Sequence, residues 1–401
     1  GFDWEVPEPG NPWSHIGYWG DHQIIYLQRL LEMQQRFFPQ SLDRALPRDI
    51  YVYASLPYRM RAFDEIFADP RSTIDFDRAA HDAAVAREKE IGADGKLLHK
   101  DGEIVRANLL EKLLVPLLSK MSNFIPNGGI WMNTQRPEWN DADNALVGAG
   151  LSMVTLNYLH RFATFLAGML RETKTAEFPL HAAVAGWLQA LRRTMDDNAG
   201  ALAQPQLDAK TRRRFVESIG RAFEAHRAQV IAGGIGEAAP VATDDLRAFL
   251  DGCVAWLGHT IASSKRADGL FDSYNLMVVT KDGLEVKGLH EMLEGQVAAL
   301  SSPAFMTADL PEVGRTLESS QLRRKDQHSY ILYPEKRLPL FLEKNRIAQN
   351  ARETLDALDA NARRILFRED PDGTARFAPD FHNAAALAAA MEPLVRDGAI
   401  S

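Results

Sequence analysis

Residues 143–172, DNALVGAGLSMVTLNYLHRFATFLAGMLRE, are apolar on nearly every side of a 3.6-residue repeat, from Leu151 and Leu156 through Phe165 to Leu170. A helix hydrophobic all round is a buried one, so this stretch predicts an inner helix of a helical toroid. Residues 103–123 place Ile104, Leu109, Leu113, Leu117 and Leu118 near one stripe, with Pro116 as a kink. Further helices are expected over 19–38, 56–68, 75–90, 178–199, 206–232, 243–264, 287–301, 347–360 and 383–396, punctuated by Pro126-Asn127-Gly128-Gly129, Gly233-Gly234 and Pro371-Asp372-Gly373. Extended chain is confined to a hairpin, Val278-Val279 and Leu284–Val286 around Lys281-Asp282-Gly283, and to Ile130-Trp131-Met132. A toroid of helical hairpins carrying short β-hairpin insertions is therefore the expected fold, over residues 1–401 as one domain with 200–245 as a peripheral helical segment. A helical solenoid is the alternative, but no fixed repeat period supports it.

Composition narrows the function. The chain has 401 residues, 46% apolar and 25% charged, enough for a large core. Its 54 acidic and 46 basic residues give a net charge of −8 without long blocks of either sign. That distribution argues against nucleic acid as a partner, because phosphate backbones need concentrated Lys and Arg. Cys253 is the single cysteine, so no intrachain disulfide or cysteine metal cluster can form, and a cytoplasmic location fits. No apolar run reaches the roughly 20 residues that span a bilayer, so no membrane partner is expected. Gly1 leads almost at once into a polar, aromatic motif, so the chain reads as a piece of a longer polypeptide with additional domains.

The chemistry concentrates in Thr134-Gln135-Arg136-Pro137-Glu138-Trp139-Asn140-Asp141-Ala142-Asp143-Asn144. Sugars need an aromatic face for their C–H surface, polar groups for their hydroxyls and one carboxyl that holds a proton near neutral pH. Arg136, Glu138, Trp139, Asn140 and Asp141 supply all three. Capping of the following helix explains any one of Asn140, Asp141 or Asp143, but not the whole cluster. A second segment, Asn11 to Gln23, brings Trp13, His15, Tyr18, Trp19, Asp21, His22 and Gln23 together, rings to stack on a pyranose and polar groups to hold its hydroxyls. An N-capped helix with aromatic staples is the rival account there. The spacing of His15 and His22 matches no zinc-binding helix pair, so neither a metal nor any cofactor is expected.

Lys287 to Gln296 opens a helix after the hairpin, with Glu291 and Glu294 on one face near its N-terminus and Gln296 as a sugar contact. The helix dipole alone accounts for two glutamates there. Alternatively, one of them activates water in an inverting glycosidase, roughly 6.5–9.5 Å from the acid. In Ser319 to Tyr330, Arg324, His328 and Ser329 could hold a phosphate dianion, although a solvated turn also explains such a run.

Pro137-Glu138-Trp139-Asn140-Asp141 resembles the Asp-Trp-Asn-Asp segment of cellobiose-phosphorylase-like inverting glycoside phosphorylases, relatives of the glucoamylase-like (α/α)6-barrel glycosidases, and Gly17-Tyr18-Trp19-Gly20-Asp21 resembles their sugar-binding segment. The resemblance covers mainly residues 1–170. It implies an all-α (α/α)6 barrel, Asp141 as general acid, inorganic phosphate as co-substrate and nucleophile, and Asp21 and Trp139 as ligands of a gluco-configured oligosaccharide. Members of that family often form homodimers and carry an N-terminal β-sandwich domain that these residues do not include, as expected of a piece of a longer chain or a divergent branch. Two positions depart from the pattern: Gly20 stands where the family has arginine, and Glu138 where it has aspartate. Three readings stay open: a phosphorylase, an inverting hydrolase with Glu291 or Glu294 as base, and a non-catalytic oligosaccharide-binding or scaffold domain.

Overall fold

The structure, a computed structural model, describes residues 6–7, 21–70, 72–133, 146, 148–305, 309–335, 340, 343, 346–347, 356 and 358–398, the side chains of 21–23 excepted. The described chain is mostly helical, with small sheets. Its contacts divide it into two compact units, Gly1–Pro334 and Glu335–Ser401, a division that the sequence reading did not draw.

In the first unit, α1 is Asp21–Phe37, α2 Leu109–Met121, α3 Met153–Glu172, α4 Ala182–Asp197, α5 Ala209–Gly233, α6 Thr243–Ser263 and α7 Leu293–Ser301. Helix α3 is the central one: from Met153 to Leu170 no residue is exposed, and α1, α2, α6 and α7 all pack on it. The helix is shorter than the 143–172 expected from its apolar run. Gly148 takes φ 90°, and a side chain at Gly150 would meet Met132 Cε at 2.4 Å and Leu146 Cβ at 2.5 Å, so the chain turns and forms a strand before Ser152 caps α3 by accepting from the Thr155 N–H at 3.0 Å.

The same correction recurs along the chain. Strands Tyr58–Met60, Ile74–Phe76, Arg106–Ala107 and Glu177–His181 occupy the first residues of segments expected to be wholly helical, and the hairpin strand Leu284–Gly288 runs two residues into the helix expected from 287. Each strand is only two to five residues long, too short for periodicity to separate it from the start of a helix. The expected peripheral segment 200–245 holds α5, whose Arg212, Phe215, Val216 and Ile219 are buried, and the strand Ala238–Ala242, which pairs with Glu177–His181. Of the helix expected over 347–360, residues 348–355 lie outside the described residues.

A five-stranded antiparallel sheet sits beside α3. Its strands are β1 Phe124–Ile125, β2 Gly129–Trp131, β3 Gly150–Ser152, β4 Tyr274–Val279 and β5 Leu284–Gly288, adjacent in that order. The register sets Trp131 opposite Leu151, Asn275 opposite Leu151 on its other side, and Val279 opposite Leu284, closing the hairpin expected around Lys281-Asp282-Gly283. Arg212, only 5% exposed, joins the two edges of this sheet. Its guanidinium donates to Pro126 O after β1 at 2.8 Å, to Leu284 O at the start of β5 at 2.9 Å, and to Leu207 O at 2.7 Å. One group can reach both edges only because the short strands curl the sheet around it.

The second unit places the helix Ala360–Leu366, capped by Asp359, before the antiparallel strands Phe367–Glu369 and Ala375–Phe377. The turn between them uses Gly373 at φ 79°. Leu366 and Leu394 of the helix Ala384–Arg396 form its core with Ala362.

Replacing Arg212 by Met would leave three buried carbonyls without their donor, at about 1–3 kcal/mol for each unsatisfied group. A loss of at least about 3 kcal/mol is expected from urea denaturation of the Arg212→Met variant. A loss below about 1 kcal/mol would show that the clamp does not hold the sheet.

Candidate functional site

The segment that carries Arg136, Glu138, Trp139, Asn140 and Asp141 lies outside the described residues, as do Trp13, His15, Tyr18 and Trp19. Asp21, His22 and Gln23 open α1, and their side chains lie outside the described residues too. What the structure fixes is the frame of the 133–148 loop. Met132 N–H donates to Gly150 O at 2.9 Å, Gly148 N–H to Met132 O at 2.8 Å, and Trp131 Nε1 to Gly148 O at 3.0 Å. The outgoing end is pinned again at Asn133, whose carbonyl accepts from Thr73 Oγ1 at 2.7 Å and whose Nδ2 donates to Asn123 Oδ1 at 2.7 Å. The two ends thus stand side by side between β2 and β3, each tied to buried structure.

At the N-terminal end of β4, the glutamates expected as candidate bases have separate partners. Helix α7 begins at Leu293, because β5 continues to Gly288 and Met292 is extended at φ −140°, ψ 149°; Glu291 therefore precedes the helix and Glu294 sits in its first turn. The Tyr274 hydroxyl donates to Glu294 Oε2 at 2.7 Å. Glu291 faces the Arg266 guanidinium at 3.8 Å, which also meets Asp268 at 3.0 Å, Asp272 at 3.5 Å and Leu289 O at 2.7 Å. Gln296 is fully buried, and its amide is engaged by the backbone: Oε1 accepts from Phe271 N–H at 2.8 Å, and Nε2 donates to Phe271 O at 2.7 Å and Met292 O at 3.0 Å. It locks residue 271 to α7.

Sequence reasoning passed over the residues beside these glutamates. Asp272 is held above the usual carboxylate range by burial, with the opposing charge of Arg266 only partly offsetting it. Asn275 is 1% exposed; its Nδ2 donates to Gly128 O at 2.8 Å, while its Oδ1 has no hydrogen-bond partner among the described residues. Asp272 Oδ1 and Asn275 Oδ1 each lie 3.7 Å from where a side chain at Gly288 would begin. The absent side chain leaves a small niche faced by two acceptors, suited to a hydroxyl or a water. Arg266-Ala267-Asp268-Gly269-Leu270-Phe271-Asp272 carries alternating charge that would have pointed here, but the niche needs Gly288 from the next strand.

The segment expected to hold phosphate is a tight hairpin of Arg323–Arg324 with Ser329–Tyr330, His328 lying at its turn with φ 49°. Arg324 is paired with Asp326 at 2.8 Å and Arg323 with Glu318 at 3.0 Å, and Ser329 stands on the return strand. Each of those two guanidiniums thus already has a carboxylate partner within the hairpin or beside it.

Two further buried groups complete the electrostatics of this unit. Glu111, at 1% exposure, accepts from Tyr53 Oη at 2.6 Å and from the His181 N–H at 2.7 Å, with His181 Nδ1 at 2.9 Å. Burial alone would raise its carboxyl, but those hydrogen bonds outweigh burial and hold it below its ordinary value. His160, buried in α3 with Nδ1 at 3.0 Å from Ser302 Oγ, is pushed down to about 4 by burial.

Among the described residues, no group of three or more His, Cys, Asp or Glu side chains could hold a metal ion, and no helix is long and apolar enough to cross a membrane. Residues 338–400 match the family described as GH149 phosphorylase insertion domain 2. The match lies in the second unit and supports a glycoside phosphorylase enzyme acting in carbohydrate metabolism. No curated protein matched the chain.

The depressed His160 sets a pH dependence. Its folded value of about 4 lies below the ordinary 6.5, so between those values the unfolded chain binds more protons and stability falls as pH drops from 6.5 to 4. His160→Gln should flatten that part of the stability curve relative to the parent, measured as urea midpoints from pH 7 to 4. Parallel curves would mean that His160 is not held neutral.

Proposed function

We propose that this chain is the catalytic part of an inverting glycoside phosphorylase, built on an (α/α)6 barrel, acting on a gluco-configured oligosaccharide. The observation that carries the reading is the match of residues 338–400 to a phosphorylase insertion domain, in a chain that also bears Glu138-Trp139-Asn140-Asp141. That motif belongs to a loop whose ends are held side by side between β2 and β3. Such anchoring suits a group that must be positioned to within a fraction of an ångström.

In this mechanism Asp141 gives its proton to the glycosidic oxygen as the C1–O bond breaks. Hydrogen phosphate attacks C1 from the opposite face and forms the new C–O bond, and its proton returns to Asp141. The products are a sugar 1-phosphate and a shortened sugar with a free hydroxyl. Asp21, Trp139 and Asn140 hold the sugar during the transfer. No second carboxylate is needed, because phosphate is already a competent nucleophile. The engagement of Glu291 by Arg266 and of Glu294 by Tyr274 favours this route over water activated by either glutamate.

Incubation with β-linked gluco-oligosaccharides should yield glucose 1-phosphate only when inorganic phosphate is present. Reducing sugar released without phosphate would mean hydrolysis, and sugar binding without either product would mean a non-catalytic module. General acid catalysis contributes about 10²–10⁴-fold, so Asp141→Asn should lower kcat by that factor with the melting curve unchanged. Full activity in that variant would reassign the acid.

A further inference from the structure

The second unit holds a cavity of about 470 Å³ lined by Arg363, Arg364, Phe367, Arg368, Glu369 and Ala375. That volume falls within the roughly 300–1,000 Å³ of small-molecule sites. Three arginines against one glutamate make its wall cationic.

The arginines are engaged to different degrees. Arg363 is paired with Glu369 at 3.1 Å and with Asp356 at 3.3 Å, so its charge is largely met. Arg364, in the last turn of the Ala360–Leu366 helix, donates to the neutral Asn361 Oδ1 at 3.3 Å. Arg368, on the following strand, uses Nη1 to donate to Phe367 O at 2.7 Å and to Arg364 O. Neither Arg364 nor Arg368 has a carboxylate partner among the described residues. Arg368 is thereby held at the end of the helix, and it lines the same cavity as Arg364. Two guanidiniums in that setting form a fork for the oxygens of a phosphate group, which they bind bidentately. Between them, Phe367 offers an apolar ring, held in place against Phe377 at 5.6 Å between centroids.

We propose that this cavity of the second unit is a ligand site that takes a phosphate monoester of a sugar. Arg364 and Arg368 hold the phosphate, and Phe367 forms the wall along the C–H face of the ring. Glu369, which also lines the cavity, can accept from a sugar hydroxyl. The choice of a sugar phosphate rests on the phosphorylase reading, since such an ester is what that reaction makes; the anion site itself does not.

Hydrogen–deuterium exchange on the full chain separates this site from the one that performs the transfer, because it reads residues 360–377 by peptide. Glucose 1-phosphate should slow exchange across 360–377, and glucose at the same concentration should not. Arg364→Gln and Arg368→Gln should each weaken that protection by about 10-fold or more in ligand concentration, as expected for loss of one charge-assisted pair. Arg364 is exposed and caps nothing, so its variant keeps the test valid if Arg368→Gln loosens the helix end. Arg396→Gln, an equal charge change elsewhere in the unit, should leave it intact. Protection by inorganic phosphate alone, as strong as by the ester, would keep the anion site and remove the sugar from it. No protection by either, equal protection by glucose, protection only by a polyanion such as heparin, or an equal loss in Arg396→Gln would overturn the proposal. Turnover is not part of this readout, so a chain without phosphorylase activity can still pass or fail it.

Discussion

The Arg212 guanidinium, buried between α5 and the curled sheet, is the point on which the first unit closes. It donates to backbone carbonyls next to both edge strands, Pro126 O beyond β1 and Leu284 O at β5. A sheet whose outer strands are two and five residues long has little ladder of its own to hold it. The clamp replaces the missing ladder, with backbone carbonyls as its acceptors and the charges of Asp208 and Glu285 acting on it as well. Burial costs it some basicity, which accords with a group enclosed by carbonyls.

From that closed sheet the rest of the geometry follows. β2 and β3 are two of its three inner strands, and the 133–148 loop leaves and re-enters between them. β3 runs straight into α3, the helix that most of the unit packs around. Movement at the sheet would therefore reach both the core and the ends of the loop. At the N-terminal end of β4, which pairs with β3, Tyr274, Asn275 and Asp272 stand beside the glutamates, so the loop frame and the polar niche at Gly288 share one strand.

The helices with long apolar runs and clean caps were legible. Thr243–Ser263 falls on its expected span almost to the residue, and the hairpin around Lys281-Asp282-Gly283 has its expected turn. What the sequence hid were strands that lead directly into helices. Pro179 was a usable sign, since proline sits poorly inside a helix; it lies in a two-stranded ribbon, opposite Pro240. Long-range polar clusters were not legible at all. Glu111 meets Tyr53 and His181 across separations of 58 and 70 positions, which no local pattern records. The break near residue 335 was equally silent, because no Gly- or Ser-rich linker marks it. The sugar-type motif at 138–141 was read from residue chemistry, and the phosphorylase domain match at 338–400 then supported the same class of enzyme from a different part of the chain.

The central claim is a direct displacement by phosphate opposite a single proton donor, and its stereochemical outcome tests it most directly. Following the reaction of a β-linked gluco-oligosaccharide with phosphate by ¹H and ³¹P NMR from the first minutes, the account predicts α-glucose 1-phosphate as the initial product. Formation of the β-anomer would contradict it, since retention requires a covalent intermediate and a second catalytic carboxylate.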